Sequence, residues 1–143
     1  MIRLGIISLA AAALLAQAPA MRSVYILPMA GGLDQYLAEH LTLTHTMEVV
    51  TDPKAAEVYL TDQLGEPFEH KVAELHQTPE AAKGAVGVHP SFRSTNSKGT
   101  IFLVDAKSRK VIWSDYEKPG PHDSATLNHV AARIVQKMMG KPK

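Results

Sequence analysis

The stretch GTIFLVDAKSRKVIWSDY, from Gly99 to Tyr116, constrains the fold of this chain most. Two runs of β-branched and aromatic residues flank the polar Ala106-Lys107-Ser108-Arg109, which is the pattern of a β-hairpin. In the first run Ile101, Leu103 and Asp105 share one face, and Phe102 and Val104 share the other. Both faces carry apolar residues, so both should be at least partly covered. In the return run Val111 and Trp113 alternate with Ile112 and Tyr116, and Trp113 is expected to pack over a helix. A chain holding this hairpin is committed to a sheet, and the remainder must supply further strands and the helices that cover them.

Ser23–Leu27 (SVYIL) is a short apolar run closed by Pro28, which favours a buried strand. After Gly31-Gly32, residues Leu33, Leu37 and Leu41 follow the spacing of an amphipathic helix ending near Thr44. Met47–Thr51 and Glu57–Asp62 read as two more strands. Between them, Asp52 is placed to cap one helical turn that Pro53 opens. Phe68, Val72 and Leu75 mark a weaker helix over Glu66–His76. Leu127, Val130, Ala131, Ile134, Val135 and Met138 form one stripe on a last helix, capped by Asp123 or Ser124 and stopped by Gly140 and Pro142. The expected fold is an α/β (α+β) two-layer sandwich: a mixed sheet of about five strands with two main helices on one face. Residues 77–98, rich in Pro, Gly, Ser and Asn without periodicity, read as a flexible insertion.

The first twenty residues have a different character. MIRLGIISLAAAALLAQAPA carries Arg3, an uncharged run from Leu4 to Ala16, and a small-x-small site at Ala18-Pro19-Ala20. The run is about 13 residues long against the ~20 a membrane span requires, so residues 1–20 are expected to be a removable secretory signal. One domain then remains over 21–143. The whole chain has 15 basic and 14 acidic residues, and loss of Arg3 balances them, leaving no global field for nucleic acid or anionic lipid. An exported domain with no cysteine can use neither disulfides nor a lipidated anchor. It is expected to be a soluble periplasmic or secreted protein held together by its core, with hydrophobic residues making up 45% of the chain.

Residues able to carry chemistry are scattered. His40 and His45 are five apart, His70 and His76 six, and His122 and His129 seven, none matching the i, i+3 or i, i+4 spacing that sets two ligands on one helical face. His89 lies in the insertion. Gly31-Gly32 follows a strand, where backbone amides could cradle an anion, but neither G-x-G-x-x-G nor a P-loop runs through Met29–Asp34. The bland reading is a tight turn, with Asp34 suited to the helix start. Asp52, Asp62, Asp105 and Asp115 each sit near a strand end, where Asp commonly bonds nearby backbone amides. Lys107, Arg109 and Lys110 read as a solvated hairpin tip that discourages edge pairing. No catalytic, cofactor or metal residue is assigned.

Two stretches carry a resemblance: Val49–Leu60 (VVTDPKAAEVYL), and Thr100–Asp105 through Lys110–Ser114 (TIFLVD and KVIWS). Together they resemble small exported bacterial envelope domains such as the N-terminal domain of TolB-like proteins and the CsgG and LpoB group. Glu57 stands where that pattern often has Asp, and there is no lipobox. The resemblance implies a periplasmic binding or assembly module; as no reactive constellation surfaces in the sequence, the preferred expectation is a non-enzymatic module that binds a protein or another envelope component. Homodimerisation by sheet-edge pairing is compatible with it. The competing expectation is a small periplasmic enzyme or metal protein using convergent His with Asp or Glu.

Overall fold

A computed structural model describes residues 21–77 and 99–140. The expected signal over residues 1–20, Pro142 and all but Gln77 of the insertion expected over 77–98 lie outside the described residues. Five strands, β1 (Ser23–Ile26), β2 (Glu48–Val49), β3 (Val58–Thr61), β4 (Thr100–Asp105) and β5 (Val111–Tyr116), form one sheet in the order β2-β1-β3-β4-β5. β1 runs parallel to β2 and β3, while β3–β4 and β4–β5 are antiparallel, so the sheet is mixed. Among the described residues three α-helices accompany it: α1 (Leu33–Leu43), α2 (Glu66–Leu75) and α3 (Ser124–Met138).

Strand alternation sorts the apolar residues cleanly. Val24 of β1, Val58 and Leu60 of β3, and Ile101 and Leu103 of β4 point to one face, where Leu37 and Leu41 of α1 and Ala131, Ile134 and Val135 of α3 cover them. These are the two main helices expected on one face. The leucines and isoleucine of this cluster that are wholly buried each contribute about 1.5–3 kcal/mol. His40 Nε2 lies 2.8 Å from Asn128 Oδ1, tying α1 to α3 at the surface.

Leu27, Tyr59 and Val104 point to the reverse face, where Phe68 and Val72 of α2 cover them. β3 is therefore buried along its whole length. The helical spacing of Phe68, Val72 and Leu75 is what lets one short helix roof this smaller cluster.

The strands are shorter than the apolar runs suggest. The run Met47–Thr51 yields only two residues of β2, because the chain must next cross the amino end of β1 to reach β3. A 3-10 turn at Pro53–Ala55 makes that crossing, with the Asp52 carboxylate accepting from the Lys54 N–H at 2.9 Å as its cap. Ser23 and Glu57 clamp it: the Ser23 hydroxyl donates to the Ala55 carbonyl at 2.9 Å, and Glu57 Oε2 accepts from the Ser23 N–H at 3.2 Å. At the other end of the chain Asp123, rather than Ser124, caps α3 by accepting from the Thr126 N–H at 3.0 Å.

Candidate functional site

Each candidate acid has a local structural partner. Asp52 caps the 3-10 turn, and Asp115 lies 2.8 Å from Lys137 Nζ. Asp62, 6% exposed at the end of β3, accepts from the Ala30 N–H at 3.5 Å, while Asp34 accepts from the Met29 N–H at 3.1 Å. Two carboxylates thus take up the Met29 and Ala30 amides that lead into the glycine turn. Gly31 and Gly32 are there for their backbone, with φ of 69° and 81°. At Gly31 an added Cβ would also fall 2.8 Å from the His122 ring.

Among the described residues no three histidines, aspartates or glutamates come together to hold a metal. His40 bonds Asn128, His70 pairs with Glu74 at 3.3 Å, and His76 Nε2 lies 2.9 Å from the Tyr59 hydroxyl. His45, His122 and His129 are exposed on separate segments, and His89 lies outside the described residues.

The hairpin turn is built around Asp105. Its carboxylate accepts from the Lys107 and Ser108 N–H groups at 3.1 and 2.9 Å, and from Arg22 Nη2 at 3.0 Å. The Ser108 N–H first, and then the Arg22 guanidinium, hold its carboxyl down to about 2. Lys107, Arg109 and Lys110 are all exposed, as a solvated tip requires, but Arg109 also adopts φ 59° and lays its guanidinium 5.7 Å from the Tyr59 ring centre and 5.8 Å from that of Phe68. Its Nη1 donates to the Ala106 carbonyl at 2.9 Å and its Nε sits 3.4 Å from Glu69. A planar cation over aromatic faces packs as well as charges.

β5 is an edge strand, and its register explains what it offers. Leu103 pairs with Trp113, but Val104 pairs with Val111, so Ile112 is an extra residue and forms a bulge. Strict alternation is thereby broken: Val111 joins the Val104 face, not the face of Trp113. The Glu117 N–H donates to the Gly99 carbonyl at 2.8 Å. Hydrogen-bonded pairs recur at every second residue of an antiparallel ladder, so Asp115 and Trp113 turn their backbone groups toward β4. Those of Ser114 and Tyr116 point outward. Val111, Ile112 and Tyr116 are 44%, 45% and 60% exposed.

Beside this edge, on the α1–α3 side of the sheet, lies an open cleft of about 270 Å³ lined by Arg22, Thr46, Met47, Leu103, Ile112, Trp113 and Met138. Five of the seven are apolar, and Arg22 stands among them already paired to Asp105. Trp113 packs partly against the main core, as expected, and partly forms the cleft wall. The strand is fastened behind: Lys137 of α3 lies 2.8 Å from both Asp115 and Glu117, and Arg133 lies 2.9 Å from Glu117. Hydrogen bonds to Asp115 first, and then to Glu117, push the Lys137 ammonium pKa up. The carboxylates of β5 are thus compensated by α3.

Sequence reasoning reads Leu103, Ile112 and Trp113 as hairpin residues, Met47 as opening a strand and Met138 as part of the last helix's stripe, and assigns none of them to a site; Arg22 and Thr46 carry no reading. The lining residues come from separated segments, and each looks ordinary in its own neighbourhood. No protein-family model matches the chain, no curated protein matches it in sequence, and no solved structure matches it.

Proposed function

We propose that this chain is a non-enzymatic, exported module of the bacterial envelope or periplasm that binds a protein partner along β5. The observation that carries the reading is an edge strand of six residues whose exposed Ile112 lines an apolar cleft on the α1–α3 side of the sheet, with exposed Val111 and Tyr116 on the other side. The bulge at Ile112 confines pairing to the Trp113–Tyr116 end of the strand, where an exposed edge is a surface for adding a strand. Export rests on the leader-like composition of residues 1–20 and on the resemblance of the LVD…VIWS hairpin to envelope domains.

Two measurements test the proposal. Sequencing the amino terminus of protein recovered from its cells should find the leader gone; a retained Met1 on cytosolic material contradicts export. A photo-crosslinking residue placed at Tyr116 should yield a discrete adduct in cells, whereas the same residue at the exposed Glu39 of α1 should not. Equal labelling from both positions, or none from Tyr116, contradicts binding along β5.

A further inference from the structure

We infer that β5 and its cleft accept an extended peptide whose central large apolar side chain enters the cleft and whose flanking residues are acidic. The inference rests on the proposed use of β5 and names the partner's chemistry. Three features lead to it. The first is backbone chemistry: Ser114 and Tyr116 present outward N–H and C=O groups in the spacing that an added antiparallel strand requires.

The second is size. Small-molecule sites are usually ~300–1,000 Å³ and concave, and this open cleft of about 270 Å³, to which β5 contributes Ile112 and Trp113, falls short of that range. It suits the anchor side chain of a peptide lying on the edge. Its wall of Trp113, Ile112, Leu103, Met47 and Met138 can adapt to an aromatic or aliphatic group, with methionines supplying the adjustable contacts.

The third is charge. Asp115 and Glu117 are compensated by Lys137 and Arg133, while Lys110 and Lys118, which bracket β5, make no ion pair among the described residues. Among the described residues the strand therefore presents positive charge without a paired carboxylate at both ends, complementary to carboxylates flanking the anchor. A second copy of the chain fits less well. Pairing about Ser114, one of the two registers that oppose outward groups symmetrically, would set Lys110 across from the other copy's Lys118, and like charges directly opposed are destabilising.

The test uses the protein as recovered from cells and three synthetic nine-residue peptides: a central Phe with Glu flanks, the same with Ala for Phe, and the same with Lys flanks. Trp113 is the only tryptophan, so its emission reports the cleft alone. The Phe peptide with Glu flanks should shift that emission saturably, and each of the other two should bind at least tenfold more weakly. Ser114→Pro should abolish the shift while leaving far-ultraviolet circular dichroism and thermal midpoint nearly unchanged, because it removes an outward N–H that β4 does not use. Ile112→Lys provides a second variant with the same expected loss.

Equal binding of the Glu- and Lys-flanked peptides, or no penalty for Ala, overturns the inference. So does an unshifted Trp113 with all three. Concentration-dependent dimerisation that Ser114→Pro abolishes would assign the edge to a second copy instead. If crosslinking from Tyr116 in cells still yields a discrete adduct while the peptides fail, binding along β5 stands and this partner class falls.

Discussion

Replacing Gly99 by alanine should damage β5 more than any other single methyl group added at a described glycine. Gly99 sits at φ +85°, and an ideal Cβ there would lie 2.1 Å from the Glu117 carbonyl oxygen. A non-glycine residue in the left-handed region costs about 1–2 kcal/mol. The overlap is with backbone rather than a movable side chain, so the strands must part locally, weakening the 2.8 Å bond from the Glu117 N–H to Gly99. A typical hydrogen bond contributes about 0.5–1.5 kcal/mol net, giving a combined loss of about 2–3 kcal/mol. Gly140→Ala is the control: its φ is +66° but nothing lies within 4 Å, so only the backbone cost of about 1–2 kcal/mol applies. Urea denaturation of both variants, read as a shift in midpoint at constant slope, measures the difference. Equal midpoints for the two variants, or a loss below about 0.5 kcal/mol for Gly99→Ala, would refute the contact argument.

Other outcomes follow from the same contacts. Arg109→Ala should cost about 1–2 kcal/mol, from two aromatic faces left uncovered and a lost bond to Ala106, measured by urea denaturation against Lys107→Ala, which should change little. Ile134→Ala, at a position with no exposure, should cost about 2–5 kcal/mol and lower the thermal midpoint. The Asp105 carboxyl should titrate near 2 when followed by carbon NMR, below its ordinary 3.8. Its pKa is depressed on folding, so its contribution is complete above pH about 4 and fades as pH falls toward 2. Asp105→Asn should flatten that acid limb of the stability curve. Salt should weaken Arg22–Asp105 and Arg133–Glu117, both surface pairs, more than it weakens the core.

What the sequence revealed follows from how local each feature is. The hairpin, α1 and α3 were legible because their periodicity comes from neighbouring residues, and the Asp52 and Asp123 caps because capping acts over three residues. The two-residue β2 was not. Its length depends on a crossing over β1 that Ser23 and Glu57 fasten from 34 residues apart. The bulge at Ile112 was hidden because a sequence shows alternation but not which partner residue each position opposes. The ring contacts of the exposed Arg109 were hidden for a related reason: its turn position is local, but Tyr59 and Phe68, the rings it covers, belong to distant elements. The cleft was the least legible, since Arg22, Thr46, Met47 and Met138 meet only once strand order and helix placement are set.

The central claim is that the outer backbone of β5 awaits another strand. Amide hydrogen exchange reads this residue by residue. In the protein alone, Ser114 and Tyr116 should exchange rapidly while Trp113 and Asp115 are protected, and adding the Glu-flanked Phe peptide should slow the first two alone. Ser114 and Tyr116 that are protected without a partner, or that exchange equally fast with and without the peptide, would contradict the account.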